Sequence, residues 1–324
     1  MKILSLCIAA CAALMALPVQ AQKWPDKPIH WILPYAAGGP SDALVRAIAP
    51  KLSDELGVPV VIENRTGAGG NIAMMAVVKA APDGYTIGLG GTGTHAVNPH
   101  IQLAIPYDVT KDFTPISPIV SYVNVLVVNS NVPVKTVGEL VAYAKSNPTT
   151  VTFASGGKGT SNQLSAELLR VITNAPMVHV PYRGSGPAMI DLIAGHVTFM
   201  FDILVTAMPQ IESGKVRALA VTSSKRSPYA PNIPTMSEAG VQGYEQAGND
   251  LWFGIFAPPN LPDDIAGRLH AAVVKAMNSP EIEARLRTQS YDKWTLPPKA
   301  FADFVKTDYQ KWGKVIEAAK IEKE

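Results

Sequence analysis

Short apolar runs alternate with stretches whose apolar positions recur every three or four residues, and this alternation persists along almost the whole chain. Ile29 to Leu33, Val58 to Glu63 and Tyr85 to Leu89 read as strands. The first is followed by Leu44, Ala47, Ile48 and Leu52, one face of a helix in which Pro50 predicts a kink rather than a break. Asn71 to Ala81 reads as a second helix, stopped by Pro82-Asp83-Gly84, and after Tyr85 to Leu89 a short helix follows that Pro99 would interrupt. Beyond a proline-spaced passage (Pro106, Pro115, Pro118), further strands are expected at Val123 to Val128, Val151 to Ala154, Met177 to Val180, Val197 to Phe201 and Leu219 to Thr222, with helices between them. Thr136 and Glu139 have the spacing of a capping box. Asn249 to Pro258 supplies one more strand, and Asp263 to Asn278, Glu281 to Gln289 and Lys299 to Ala319 are helical.

Strand and helix in alternation predict an α/β fold of largely parallel, doubly wound sheets. The middle reads as a second unit inserted in the first. Residues 22–122 and 247–324 would then form one lobe and 123–246 the other, with the helical tail packed back on the first. Two crossings between lobes make a hinge and a cleft, and ligands of open α/β sheets lie beyond the carboxyl ends of strands.

Glycine turns sit at three such ends: Pro34 to Asp42, Gly90 to His95 and Ser155 to Asn162. Each joins a strand to a helix start, where unpaired N–H groups and the helix dipole favour an anion. Ser41 suits an N-cap, and Gly38 and Gly39 let a ligand approach the backbone. The expected common occupant is a carboxylate.

The beginning of the chain is different. Lys2 precedes an apolar run from Ile3 to Leu17, and Val19-Gln20-Ala21 has the small-residue pattern of a signal-peptidase site, so residues 1–21 read as a signal peptide and the mature protein, soluble and exported to the periplasm, as starting at Gln22. Both cysteines, Cys7 and Cys11, lie within that leader, which leaves the mature chain without disulfide or thiol chemistry. Removing Lys2 from 28 basic side chains leaves 27 against 26 acidic ones, a net charge of +1, and so no electrostatic footprint for nucleic acid.

Other chemistry fits poorly. Gly88 to Gly93 matches the G-x-G-x-x-G dinucleotide pattern but falls on the third strand, and Asp112, at about the right distance, follows no strand. Gly156 to Ser161 lacks the Gly-Lys-Ser/Thr ending of a phosphate loop, although Lys158 could add charge to a cleft. Tyr182-Arg183-Gly184-Ser185-Gly186 is not a nucleophile elbow, and the six histidines show no metal-ligand spacing, so neither cofactor nor metal is expected. His95, closing the second glycine turn, is read either as a cleft residue or as a capping or packing one. Asp202, at the end of Val197 to Phe201, is either a helix cap or an acceptor for a ligand hydroxyl or amino group.

Ile32 to Asp42, Val61 to Asn71, Thr92 to Pro99, Val180 to Gly184, Phe201-Asp202 and Leu219 to Thr222 together resemble the Bug-type extracytoplasmic solute receptors of tripartite tricarboxylate transporters, in order and over the whole mature chain. The resemblance implies a two-lobed periplasmic-binding-protein fold that closes on a small organic carboxylate and delivers it to an integral-membrane permease. The ligand could be a di- or tricarboxylate, an acidic amino acid or an aromatic acid. Carried onto this sequence, the binding residues would be Tyr35, Ala37, Gly38, Ser41, Thr92, His95, Ser155, Thr160, Ser161 and Asp202 of a monomeric receptor with no catalytic residue. Gln163 stands where many relatives have histidine, and Ile203 where asparagine is common. Two other functions share these features: a ligand-dependent periplasmic sensor subunit, and an exported hydrolase using Ser155 or Ser161.

Overall fold

The structure is a computed structural model that describes residues 24–244, 251–318, 321 and 323. The expected leader lies outside these residues, as do Asn249 and Asp250.

The chain forms an α/β fold of two sheets. Strands β1 (Ile29–Leu33), β2 (Val60–Asn64), β3 (Thr86–Gly91), β4 (Thr114–Tyr122), β10 (Leu251–Ala257) and β11 (Asp292–Lys293) make a six-stranded sheet in the order β11-β4-β10-β3-β1-β2. Strands β5 (Asn124–Asn129), β6 (Thr152–Ser155), β7 (Val178–Pro181), β8 (Phe199–Ile203) and β9 (Val216–Val221) make a five-stranded sheet in the order β7-β6-β8-β5-β9. Both sheets are mixed rather than largely parallel: β10 runs antiparallel to β3 and β4, and β5 antiparallel to β8 and β9. Polarity is set by long-range pairing, which local periodicity does not record.

The proline-spaced passage hides a strand. Pro115 and Pro118 lie within β4, opposite Phe256 and Gly254 of β10, where the register shifts. Such irregularities are where a strand tolerates a residue without an N–H. β4 leads through Val123 directly into β5, so the first passage between the sheets is a single residue long.

Helices cover both faces of each sheet. On the first, α1 (Pro40–Leu56) and α8 (Asp263–Met277) bury Leu44, Ile48, Leu269 and Val273 on one side. The other side receives α2 (Asn71–Val78) and the start of α10 (Pro298–Ala318), through Met74, Phe301 and Val305. α1 runs unbroken through Pro50. A π-helical turn, Thr92–Val97, leads into α3 (Asn98–Ile101), and Pro99 sits in the first turn of α3, where its missing N–H costs nothing, instead of interrupting it. On the second sheet, α4 (Val137–Ser146) and α5 (Ser161–Thr173) cover one face, and α6 (Ser185–Ala194) and α7 (Leu204–Glu212) the other. Thr136 caps α4 by accepting from Glu139 N at 3.1 Å, and the Glu139 carboxylate accepts from Lys135 N. α9 (Pro280–Thr288) precedes β11.

The tail does not pack on the first sheet alone. Spanning 21 residues, and so about 30 Å, α10 places Phe301 and Val305 against the first sheet and Trp312 and Ile316 in the cluster over the second. Trp312 is on this helix, whereas Trp294 lies in the segment before it. No helix among the described residues is long and apolar enough to cross a membrane.

Candidate functional site

The turn after β1 is held by Asp42, not by Ser41. The N-cap of α1 is Gly39, without a side-chain cap. Asp42 Oδ2 instead accepts from Gly38 N at 2.9 Å and from Arg46 Nε at 2.8 Å, and Asn64 Nδ2 donates both to Asp42 Oδ1 and to Tyr35 O. Burial pushes the Asp42 carboxyl upward, but hydrogen bonds from Arg46, Gly38 and Asn64 outweigh it and hold the group below its ordinary value. An internal carboxylate thus takes one turn amide and fixes the loop. Ser41, buried in the first turn, is left facing the junction between the sheets.

Two turns come from the second sheet. After β6, Gly157 and Gly159 take left-handed conformations (φ +127° and +76°). Thr160 then caps α5, accepting from Gln163 N and donating to Gly157 O at 2.8 Å. After β7, Gly184 (φ +115°) opens α6. Gly184 N donates to Gly156 O at 3.0 Å and Tyr182 N to Ser155 O at 3.0 Å, which ties these two turns together.

The starts of α1, α5 and α6 therefore converge from both sheets on one cleft of about 170 Å³. Its walls are Tyr35 to Ser41 on one side, and Gly156, Thr160 to Asn162 and Arg183 to Pro187 on the other; Tyr122, Ile203 and Phe253 complete the lining. Arg183 is the one charged residue among the described residues that line it. A larger groove of about 690 Å³ runs elsewhere along the junction, past Gly69, Gln102, Leu103, Lys158, Gln163 and Arg170. It has the greater volume, but the three helix starts meet at the smaller cleft.

Six of the ten expected residues line this cleft: Tyr35, Ala37, Gly38, Ser41, Thr160 and Ser161. The other four do not. Thr92 is buried and its hydroxyl accepts from Trp252 N at 3.0 Å. His95 is fully buried, stacked on Phe256 with ring centroids 3.8 Å apart and bonded through Nδ1 to Thr94 Oγ1, and burial lowers its pKa to about 3. Ser155 is fully buried behind the cleft. Asp202, also fully buried, accepts from Thr206 Oγ1 at 2.6 Å and Asn162 Nδ2 at 3.4 Å, with Ile203 N and Ser185 supplying further bonds. Burial outweighs these bonds and pushes the Asp202 carboxyl up to about 6.

The second glycine turn serves packing. A Cβ on Gly90 would lie 2.3 Å from His95 Cε1 and 2.5 Å from Phe256 Cε2, one on Gly88 2.6 Å from Val77 Cγ2, and one on Gly93 2.9 Å from Gly159 O. The dinucleotide-like pattern is thus a set of close approaches within the first sheet and across to the 155–162 turn.

A family model described as tripartite tricarboxylate transporter family receptor matches residues 44–321. The chain belongs to this family. Among solved structures similar to this receptor, the periplasmic binding protein BugD is 32% identical, with 93% of this chain and 100% of that one covered and a TM-score of 0.86. The Rhodopseudomonas palustris protein Rpa4515, solved with adipate, is 35% identical over 93% of this chain and 100% of its own (TM-score 0.87). MatC from the same organism, solved with bound malate, is 32% identical over 90% and 100% (TM-score 0.84). The protein is a solute-binding receptor of the Bug type, and membership of a periplasmic binding-protein family implies export.

The cleft's third turn, Arg183 to Pro187, is not among the residues the sequence assigns to binding, although Val180 to Gly184 carries part of the family resemblance. Its signal was nevertheless present: an apolar run, then Gly184, then a helix pattern, the same construction as the other turns. Tyr122 and Phe253 carry no local signal, because each sits inside a strand and reaches the cleft only through the sheet order. Of the two departures from the family pattern, Ile203 lines the cleft, whereas Gln163 does not: it faces the larger groove and bonds Gly159 N at 2.7 Å through Oε1.

Proposed function

We propose that this receptor captures a small organic carboxylate in the cleft between its two sheets and delivers it to an integral-membrane permease. The observation that carries this reading is the convergence of three helix N-termini, contributed by both lobes, on a cavity whose described lining is neutral groups and one arginine. Each helix end stabilises an anion by of order 0.3–1 kcal/mol, and more when water is excluded. Amides from both lobes reach one ligand only when the lobes are together, so the ligand favours the closed form, and release needs no strong ion pair to break. The adipate and malate held by two relatives are of the same chemical class. We place the working protein in the periplasm, after cleavage following Ala21.

The surroundings of Ser155 and of Ser161 favour the receptor reading over the hydrolase one. Gln163 Oε1 accepts from Gly159 N, which turns Gln163 Nε2 as a donor toward His179 Nδ1 at 3.4 Å. His179 Nε2 then carries the proton and donates to Ser155 Oγ at 2.7 Å, the opposite of the polarity a nucleophilic serine needs. Ser161 has no histidine or carboxylate among the residues lining its cleft.

Thermal unfolding against a panel of mono-, di- and tricarboxylates tests the proposal. A ligand present at a hundred times its Kd stabilises by about 2.7 kcal/mol, and the expected result is a rise of several degrees in Tm for at least one acid. If the carboxylates leave Tm unchanged and a non-acidic solute raises it, the carboxylate assignment is wrong.

A further inference from the structure

The cleft wall carries more information than its anion seat. Tyr122 and Phe253 stack with centroids 4.7 Å apart and planes 23° apart, and Tyr35 meets Phe253 edge-on at 6.1 Å and 64°. Ile203, 6% exposed, lies beside them. Burial raises the Tyr35 pKa to about 12 and holds the Tyr122 phenol well above its ordinary value, so both phenols stay neutral. This side of the cavity is an aromatic and aliphatic surface that offers a ligand contact area but few hydrogen bonds.

Among the described residues, no carboxylate lines the cleft. Asp202 is enclosed behind the wall, where Thr206, Ile203 N, Ser185 and Asn162 take up its acceptor positions, and Asp42 is taken up by Gly38 N, Arg46 and Asn64. An α-ammonium group brought into this cavity would lose its hydration without meeting a counter-charge, and a desolvated, unpaired cation is strongly disfavoured. Hydroxyl groups set against Ile203 and Phe253 would likewise lose water without finding partners. Arg183, just before the N-cap of α6, provides a cationic partner for a ligand carboxylate.

We infer that the cleft selects carboxylates with an apolar body, an aromatic ring or a methylene chain, over α-amino acids and hydroxylated acids. The inference rests on the receptor reading above and narrows its ligand. Titration calorimetry at neutral pH with adipate, phthalate, phenylacetate, malate, citrate and glutamate tests it on the wild-type protein and on Ile203→Asn. At least one of the first three should bind the wild type about tenfold or more tighter than malate or citrate, with no measurable binding of glutamate. The asparagine, which adds a donor and an acceptor to the wall, should narrow that ratio. Tighter binding of malate, citrate or glutamate by the wild type overturns the inference while leaving the receptor reading intact, as does a selectivity ratio unchanged in a folded Ile203→Asn protein. Failure of all six acids to bind overturns both.

Discussion

Replacing His95 with leucine should leave a protein that loses about 3 kcal/mol less stability than the wild type between pH 7 and pH 4. The imidazole is fully enclosed against Phe256 and Phe113, and burial holds its pKa near 3. In the unfolded chain it titrates near 6.5, so below that pH the unfolded state takes a proton that the native state refuses, and stability falls as pH drops from about 6.5 toward 3. Asp202 works in the opposite direction. Its folded pKa of about 6 exceeds the unfolded value of 3.8, so the native state gains stability as pH falls through that window, by up to about 3 kcal/mol. The two terms partly cancel in the wild type, and comparison of urea midpoints for wild type and His95→Leu at both pH values isolates the histidine. Identical pH dependence in the two proteins would mean that His95 takes up its proton in the native state and is not sealed in the core.

Trp252→Ala is expected to cost about 4 kcal/mol or more. The indole is fully buried on β10, meets Phe301 and Phe304 edge-on at 5.5 and 5.6 Å, and donates from Nε1 to Asp308 Oδ2 at 2.8 Å. Removing it opens a cavity between β10 and α10 and leaves the buried Asp308 carboxylate held by Lys311 alone among these two contacts. Trp252→Phe, which restores most of the volume but not the N–H, should cost about 1–3 kcal/mol. Because α10 also carries Trp312 and Ile316 into the second sheet's core, the alanine variant should loosen the attachment of one lobe to the other as well as the first sheet. Chemical denaturation monitored by circular dichroism reads the difference; a cost below about 1 kcal/mol would show that this contact does not anchor the helix.

Much of this arrangement could be read from local pattern. The strand, turn and helix at Ile29 to Leu52 and at Val151 to Thr173 follow from apolar periodicity and glycine placement, and these turns supply the six expected residues that line the cleft. What failed had a common cause. β4 was obscured by Pro115 and Pro118, whose tolerance depends on a register shift against β10, more than a hundred residues away. The polarity of β5 and β10, the reach of α10 across both sheets, and the approach of Tyr122 and Phe253 to the cleft are likewise set by distant partners. His95 misled because a histidine ending a glycine turn looks the same whether its ring points at a ligand or at Phe256. The glycines themselves, Gly88 and Gly90 above all, are small because neighbouring side chains press on them.

The ligand site proposed above is the 170 Å³ cleft and not the larger groove beside Lys158. Gly186 lines the cleft at the start of α6, and a Cβ built there meets no atom within 4 Å. A tryptophan at this position should fill the cavity without disturbing the fold. The decisive measurement is calorimetric titration of wild type and Gly186→Trp with the acid that stabilises the wild type most. One equivalent bound by the wild type and no measurable heat from a variant with an unchanged circular dichroism spectrum is the predicted result. Binding by Gly186→Trp with the wild-type Kd would move the site out of this cleft and contradict the account.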